Sequence, residues 1–151
     1  MRRSAPYLVY ILGIYLLGMF VFNLIVSNND KSGSDFNNCV VKEALNYLED
    51  EIKVSLGSEK DCSGFVQLVY QHCGQQLPRS SQKQFEKCKT SDAFPGNLVF
   101  FGEKQSINHV GIVISDTTFI HSPGIGKKVR IDNFSTPYYK ERFISYAEFI
   151  P

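Results

Sequence analysis

The sequence predicts an α+β domain, helices packed on an antiparallel sheet, carried behind one N-terminal transmembrane helix. Three observations lead there. Residues 7–26 are almost wholly apolar, and residues 36–88 space their apolar side chains as helices do. Residues 97–150 then run in short β-branched and aromatic stretches, punctuated by Gly, Pro, Asn and Asp.

The apolar stretch comes first. Arg2 and Arg3 are followed by no charged residue until Asp30. A helix needs ~20 apolar residues to cross the hydrocarbon core, whereas the apolar region of a cleaved signal peptide usually has ~7–15. Val26-Ser27-Asn28-Asn29 offers no clean small-residue cleavage site, so a signal anchor is favoured over secretion after cleavage. The two arginines place that end in the cytoplasm and the remainder outside. Residues 27–34 (SNNDKSGS) read as a short flexible tether. The expected organisation is thus 1–26 cytoplasmic tip and membrane anchor, 27–34 tether, and 35–151 one compact domain. Its roughly 120 residues suffice for a core. Net charge is +1, with Lys and Arg scattered among Asp and Glu, so nucleic acid is not an expected partner.

Within the domain, Val40, Val41, Ala44, Leu45, Leu48 and Ile52 predict a helix over 36–52, with Asp35 as its N-cap. Residues 62–73 predict a second helix with Phe65, Val66, Leu68 and Val69 on its apolar side, stopped by Gly74. A shorter third is expected over 80–88, with Ser80 or Ser81 as a cap. Strands are expected at 97–101, 109–115, 117–121, 128–131 and 143–150.

Four cysteines, Cys39, Cys62, Cys73 and Cys88, lie in the exported part, where disulfides are permitted. The plainest expectation is two bridges. If Cys62 is a nucleophile, at most one forms; Cys73–Cys88, leaving Cys39 as a buried thiol, is one pairing, and spacing does not choose among them. Zinc is poorly supported, because the only close Cys–His neighbours, His72 and Cys73, are adjacent. No metal site is expected.

Asp61-Cys62-Ser63-Gly64 falls where the second helix begins. A free thiol titrates near ~8.5, and only the thiolate is a strong nucleophile. Unpaired N–H groups at a helix start favour that anion and can later donate to an oxyanion. Gly64 lets substrate backbone approach. For Cys62 by itself, a half-buried structural cysteine remains the better reading. His109 and His121 change the balance. A thiol needs a base, and the base needs a group to orient it. Residues 110–120 read as a β-hairpin, and in the expected register His109 opposes His121 directly, Cβ atoms ~5 Å apart. His72 lies ~15 Å along the helix from Cys62 at ~1.5 Å per residue, out of reach, and reads as structural.

With these residues in place, the chain resembles the NlpC-type cell-wall endopeptidases. The likeness rests on Asp61-Cys62-Ser63-Gly64-Phe65-Val66, Leu77-Pro78-Arg79-Ser80-Ser81-Gln82, residues 95–101 (PGNLVFF), His109-Val110-Gly111-Ile112 and Phe119-Ile120-His121-Ser122-Pro123, in order and spacing. The resemblance implies a papain-like fold, with Cys62 as nucleophile, His109 as base and His121 as its orienter. Ser63, Gly64, Arg79 and Gln82 are expected to shape the substrate cleft. The implied substrate is the peptidoglycan stem peptide, cut after D-glutamate in the wall of a bacterium, with no cofactor. Two departures stand out: residues 52–58 lack the aromatic and paired glycines usual before the nucleophile, and Asn97 replaces a common acid. An amidase or acyltransferase using the same triad, and a non-catalytic wall-binding module, are the alternatives.

Overall fold

The computed structural model describes residues 6–48, 62–103, 106–124 and 127–150, with side chains in the first helix described at 12–24 and 33–46. The chain separates into two compact units, Met1–Asp35 and Phe36–Pro151. Helix α1 (Pro6–Asn46) contributes residues to both.

In the first unit, Leu12, Ile14, Leu16, Leu17, Phe20 and Phe22 are all exposed. Among the described residues, no helix is long and apolar enough to cross a membrane. The span expected at 7–26 falls partly outside the described side chains. Residues 27–34, expected as a tether, are helical, and Asp35 is an interior helical position rather than an N-cap. Nothing in that segment forbids a helix: it contains no proline, and its polar residues each cost about 1 kcal/mol or less.

The second unit is built on a six-stranded sheet, every pairing antiparallel, in the order β1-β6-β2-β3-β4-β5. The strands are β1 (Cys88–Thr90), β2 (Leu98–Glu103), β3 (Ser106–Val113), β4 (Thr118–His121), β5 (Arg130–Asn133) and β6 (Phe143–Phe149). The helices are α2 (Cys62–His72), α3 (Ser81–Glu86) and α4 (Pro137–Arg142). The α+β expectation holds. Two elements are additional: β1, too short to show alternation, and α4, which starts at Pro137 where a fixed φ suits the first helical turn.

The sheet buries both faces. On one, Leu98, Phe100, Val110, Ile112 and Ile120 pack with Val40 and Ala44 of α1 and Phe65, Val66 and Val69 of α2. Each such side chain contributes ~1.5–3 kcal/mol when fully buried. On the other, Val99, Phe101, Val113 and Phe119 pack with Tyr139 of α4. Successive residues of β2 thus serve opposite cores, as the period of two requires.

Local chemistry explains the ends of the elements. α2 closes in a Schellman arrangement, with Gly74 at φ 86° and Gln75 N donating to Tyr70 O at 2.9 Å. Gly96 has φ 91°, and a Cβ there would stand 2.7 Å from Asn37 Cβ; Tyr70 Oη donates to its carbonyl at 2.8 Å. Asn97, one of the two departures noted in the sequence, serves this turn, its Nδ2 donating to Ser91 Oγ at 2.9 Å. The first expected helix of the domain ends at Asn46, short of Ile52, and Leu45 and Leu48 are exposed rather than core.

One disulfide is present, Cys39–Cys73, with Cα atoms 5.9 Å apart. The Cys73–Cys88 pairing is therefore corrected. Cys88 sits in edge strand β1, whereas Cys39 comes to the residue that follows α2. Bridging requires proximity in space, about which sequence spacing is silent.

Candidate active site

Cys62 is the first residue of α2, 7% exposed, and outside the disulfide. Asp61 and the departure at 52–58 lie outside the described residues. The apolar side of α2 binds it to β3 and β4, which carry the two histidines of interest.

Two side chains brace the turn at Cys62, and a third ties their segment to β3. Arg79 Nη1 donates to Ser63 Oγ at 3.1 Å. Gln84 of α3, fully buried, donates from Nε2 to Ser63 O at 3.0 Å and to Pro78 O at 2.9 Å. Gln82 accepts from Ile107 N at 3.3 Å, tying α3 to the strand that carries His109. Ser80 is the cap of α3, accepting from Lys83 N at 3.4 Å. The segment 79–84 is thus a strut between the start of α2 and the start of β3.

β3 is irregular where His109 sits. Phe101 pairs with His109 but Gly102 pairs with Ile107, leaving Asn108 as an extra residue. Such a bulge swaps the faces of the residues on either side of it. Ile107 accordingly joins the helix-side core, while His109 turns to the face of Phe101 and Tyr139.

His109 Nε2 lies 2.8 Å from His121 Nδ1. The register differs from the expected one: Ile112 pairs with Ile120, so the residue opposite His121 is Gly111, not His109. The two histidines are diagonal neighbours, displaced by two positions. They still share a face, because a shift of two preserves the side-chain alternation. Gly111 makes room there, since a Cβ on it would come within 2.5 Å of the Phe119 ring.

The chain of contacts continues. His121 Nε2 is 2.9 Å from Asp132 Oδ2. The same oxygen accepts from Tyr139 Oη at 2.8 Å and from Arg130 Nε and Nη2 at 3.0 and 2.8 Å. Burial lowers the pKa of His109 to about 3, helped by the neighbouring His121. Burial likewise lowers His121 to about 4 against the pull of Asp132. Both rings are neutral at neutral pH. Burial pushes Asp132 upward, but hydrogen bonds from His121, Tyr139 and Arg130 outweigh it and hold the carboxyl below its usual range.

Residues 53–148 match the model of the NlpC/P60 family. The chain belongs to that family. It is 33% identical over 127 residues to the bifunctional muramidase/DL-endopeptidase CwlT of Bacillus subtilis, covering 78% of this chain and 38% of the relative. It is 38% identical over 87 residues to the murein DD-endopeptidase MepS/murein LD-carboxypeptidase of Escherichia coli, covering 55% and 46%. A solved NlpC/P60 family protein from Bacillus cereus is 28% identical with TM-score 0.66, over 76% of this chain and 40% of that one. The chain therefore spans less than half the length of these relatives.

In this NlpC/P60 domain, the residues expected from sequence fall into two groups. His109 and His121 meet directly; Arg79 and Gln82 belong to the strut, which meets α2 at Ser63. Gly64 is buried in α2. Among the described residues no His, Cys, Asp and Glu cluster fits a metal ion. Sequence reasoning missed Gln84, Arg130, Asp132 and Tyr139. A signal for two of them existed in Arg130-Ile131-Asp132, where two charges flank one apolar residue and so share a strand face.

Proposed function

We propose that this chain is a membrane-anchored cysteine endopeptidase that hydrolyses amide bonds of peptidoglycan stem peptides after D-glutamate. The observation that carries the reading is the His109–His121 pair on adjacent strands of the sheet against which the helix opened by Cys62 packs, within an NlpC/P60 domain.

The reaction runs in two halves. The Cys62 thiol gives its proton to His109, and the thiolate sulfur attacks the carbonyl carbon. N–H groups at the start of α2 receive the oxyanion. The C–N bond breaks as His109 returns the proton to the leaving amine, leaving a thioester on Cys62. Water then gives a proton to His109 and attacks the thioester, releasing a D-glutamyl carboxylate and restoring the thiol. Neutral imidazole in the resting site suits this role, since a protonated His109 cannot accept.

Substrate and bond are drawn from the relatives. One of them is the γ-D-glutamyl-L-lysine dipeptidyl-peptidase of Bacillus cereus, 34% identical over 97 residues. The anchor is supported by residues 7–26 and by the exposed apolar side chains between Leu12 and Leu24, which give the helix no polar side to turn to water. Arg2 and Arg3 favour a cytoplasmic N-terminus and an extracytoplasmic domain. The test is digestion of defined muropeptides by the full chain in detergent, beside Cys62→Ala, with mass-resolved products. A new D-glutamyl carboxylate from wild type alone supports the reading; intact muropeptides, or equal cleavage by the variant, overturn it. For the anchor, recovery of the full-length chain in the soluble fraction without detergent overturns the placement.

A further inference from the structure

We infer that Asp132 is a positioning residue of the site, fixing through His121 which nitrogen of His109 acts as the base. The inference rests on the peptidase reading above for its kinetic consequence, but its structural content stands apart from it.

It follows from counting protons along the chain of hydrogen bonds. A carboxylate is acceptor-only. Asp132 is held as one by four donor contacts that converge on Oδ2, from His121, Tyr139 and two nitrogens of Arg130. His121 Nε2, at 2.9 Å, must therefore carry the hydrogen. Tyr139 agrees on the same premise. Its single hydroxyl proton goes to Asp132 at 2.8 Å, so what it turns to His121 Nε2 at 3.2 Å is a lone pair, and a lone pair again requires an N–H.

A neutral imidazole carries one hydrogen. With it on Nε2, His121 Nδ1 is an acceptor, and the atom 2.8 Å away, His109 Nε2, must be the donor. The hydrogen of His109 is thereby spent, and Nδ1 is left with the lone pair. One carboxylate on β5 thus sets two successive tautomers and leaves His109 Nδ1 as the only basic atom of that ring. When His109 Nδ1 takes a proton, no other proton in the chain needs to move: Nε2–H still donates to His121, and Asp132 stays ionised. Asp132 therefore orients the base without receiving its proton.

Removing the carboxylate has a directional consequence. In Asp132→Ala, the hydroxyl of Tyr139 loses its acceptor and turns its proton to His121 Nε2. His121 then holds hydrogen on Nδ1, His109 Nε2 becomes the acceptor, and the hydrogen of His109 moves to Nδ1, blocking the base. Asp132→Asn behaves differently, because its carbonyl oxygen can occupy the position where the four donors converge and keep both tautomers. Adding Tyr139→Phe to Asp132→Ala removes the competing donor and so relieves the inversion.

The test is histidine-selective nitrogen NMR on the full chain in detergent, with muropeptide kinetics on the same samples. In the wild type, His109 and His121 are expected to be protonated at Nε2. In Asp132→Ala both are expected at Nδ1, with kcat down on the order of 10²-fold and KM unchanged, as for loss of general-base action. Asp132→Asn should retain the wild-type tautomers and lose less than about 10-fold; Asp132→Ala/Tyr139→Phe should recover part of the loss. A role confined to stability would lower Tm without moving tautomers between the variants. Overturning results are a wild-type His109 protonated at Nδ1, or tautomers unchanged in a folded Asp132→Ala. Should Asp132→Ala fail to fold, the wild-type and Asp132→Asn spectra decide. A wild type inert on muropeptides but showing the expected tautomers would sink the proposed activity and leave the assignment of Asp132 standing.

Discussion

Two histidine–carboxylate pairs stand out among the described residues, one at the C-terminal end of α2 and the other between β4 and β5. His72 Nδ1 meets Glu43 Oε1 at 2.6 Å, and His121 Nε2 meets Asp132 Oδ2 at 2.9 Å. Distance alone would rank the first as the stronger. Their surroundings reverse the order. The side chain of His72 is 48% exposed, whereas that of His121 is 0% exposed. Exposed pairs are screened by water and contribute ~0–1 kcal/mol. A buried pair restricts where protons can sit. The partners beyond differ too. Tyr47 Oη approaches the same Nδ1 of His72 at 3.1 Å, whereas the second nitrogen of His121 faces His109. His121 joins a chain because both its nitrogens are engaged and its side chain is buried from water.

The strongest way to break this comparison is to remove the proposed nucleophile and the proposed base. Cys62→Ala and His109→Ala should each lower muropeptide hydrolysis by about 10³-fold or more, read by chromatography of products, with Tm little changed for Cys62→Ala. Replacing His121 by Ala should cost less than either and far more than His72→Ala.

Next in size is the disulfide, which closes a loop of sequence separation 34. Cys39→Ser should lower stability by about 2–4 kcal/mol in denaturant titrations, with kcat retained in the folded protein. Gln84→Ala follows. It removes both hydrogen bonds to the carbonyls of Ser63 and Pro78, and should cost about 1–3 kcal/mol as well as lowering kcat through the loosened start of α2.

Acid sharpens the comparison further. Unfolded histidines titrate near ~6.5, but in the fold His109 and His121 stay neutral down to about 3 and about 4, chiefly because burial disfavours the charged ring. Between these values the unfolded chain binds more protons, so stability falls as pH drops below ~6.5. Asp132, held low by its donors after burial is outweighed, adds a loss as pH falls through its lowered pKa. Urea midpoints at pH 7 and pH 5 should show the decline, and His121→Ala should lessen it. The smallest effect is expected at the outer pair: His72→Gln should stay within about 0.5 kcal/mol of wild type and leave kcat unchanged.

Much of this was legible in the sequence, for physical reasons that also mark its limits. α2 was readable because Phe65, Val66 and Val69 repeat at helical spacing and Gly74 ends them in a conformation that glycine favours. The meeting of His109 and His121 survived a wrong register, since parity fixes the face and the displacement was two residues. Asp132 escaped because the expected strand stopped at Ile131, one residue before it; β5 continues to Asn133. The bulge at Asn108 escaped as well, because a bulge shows itself in pairing and not in residue type. The Cys39–Cys73 bridge and the burial of Gln84 depend on which elements become neighbours in space, which local patterns do not encode.

The central claim is that the sulfur of Cys62 attacks the substrate carbonyl. Rapid acid quenching of the full chain during muropeptide turnover, followed by mass measurement of the peptide containing Cys62, tests it most directly. We expect a transient adduct on Cys62 with the mass of the D-glutamyl fragment, absent from Cys62→Ala. Steady product formation with no adduct on Cys62, and equal turnover by the variant, would contradict it.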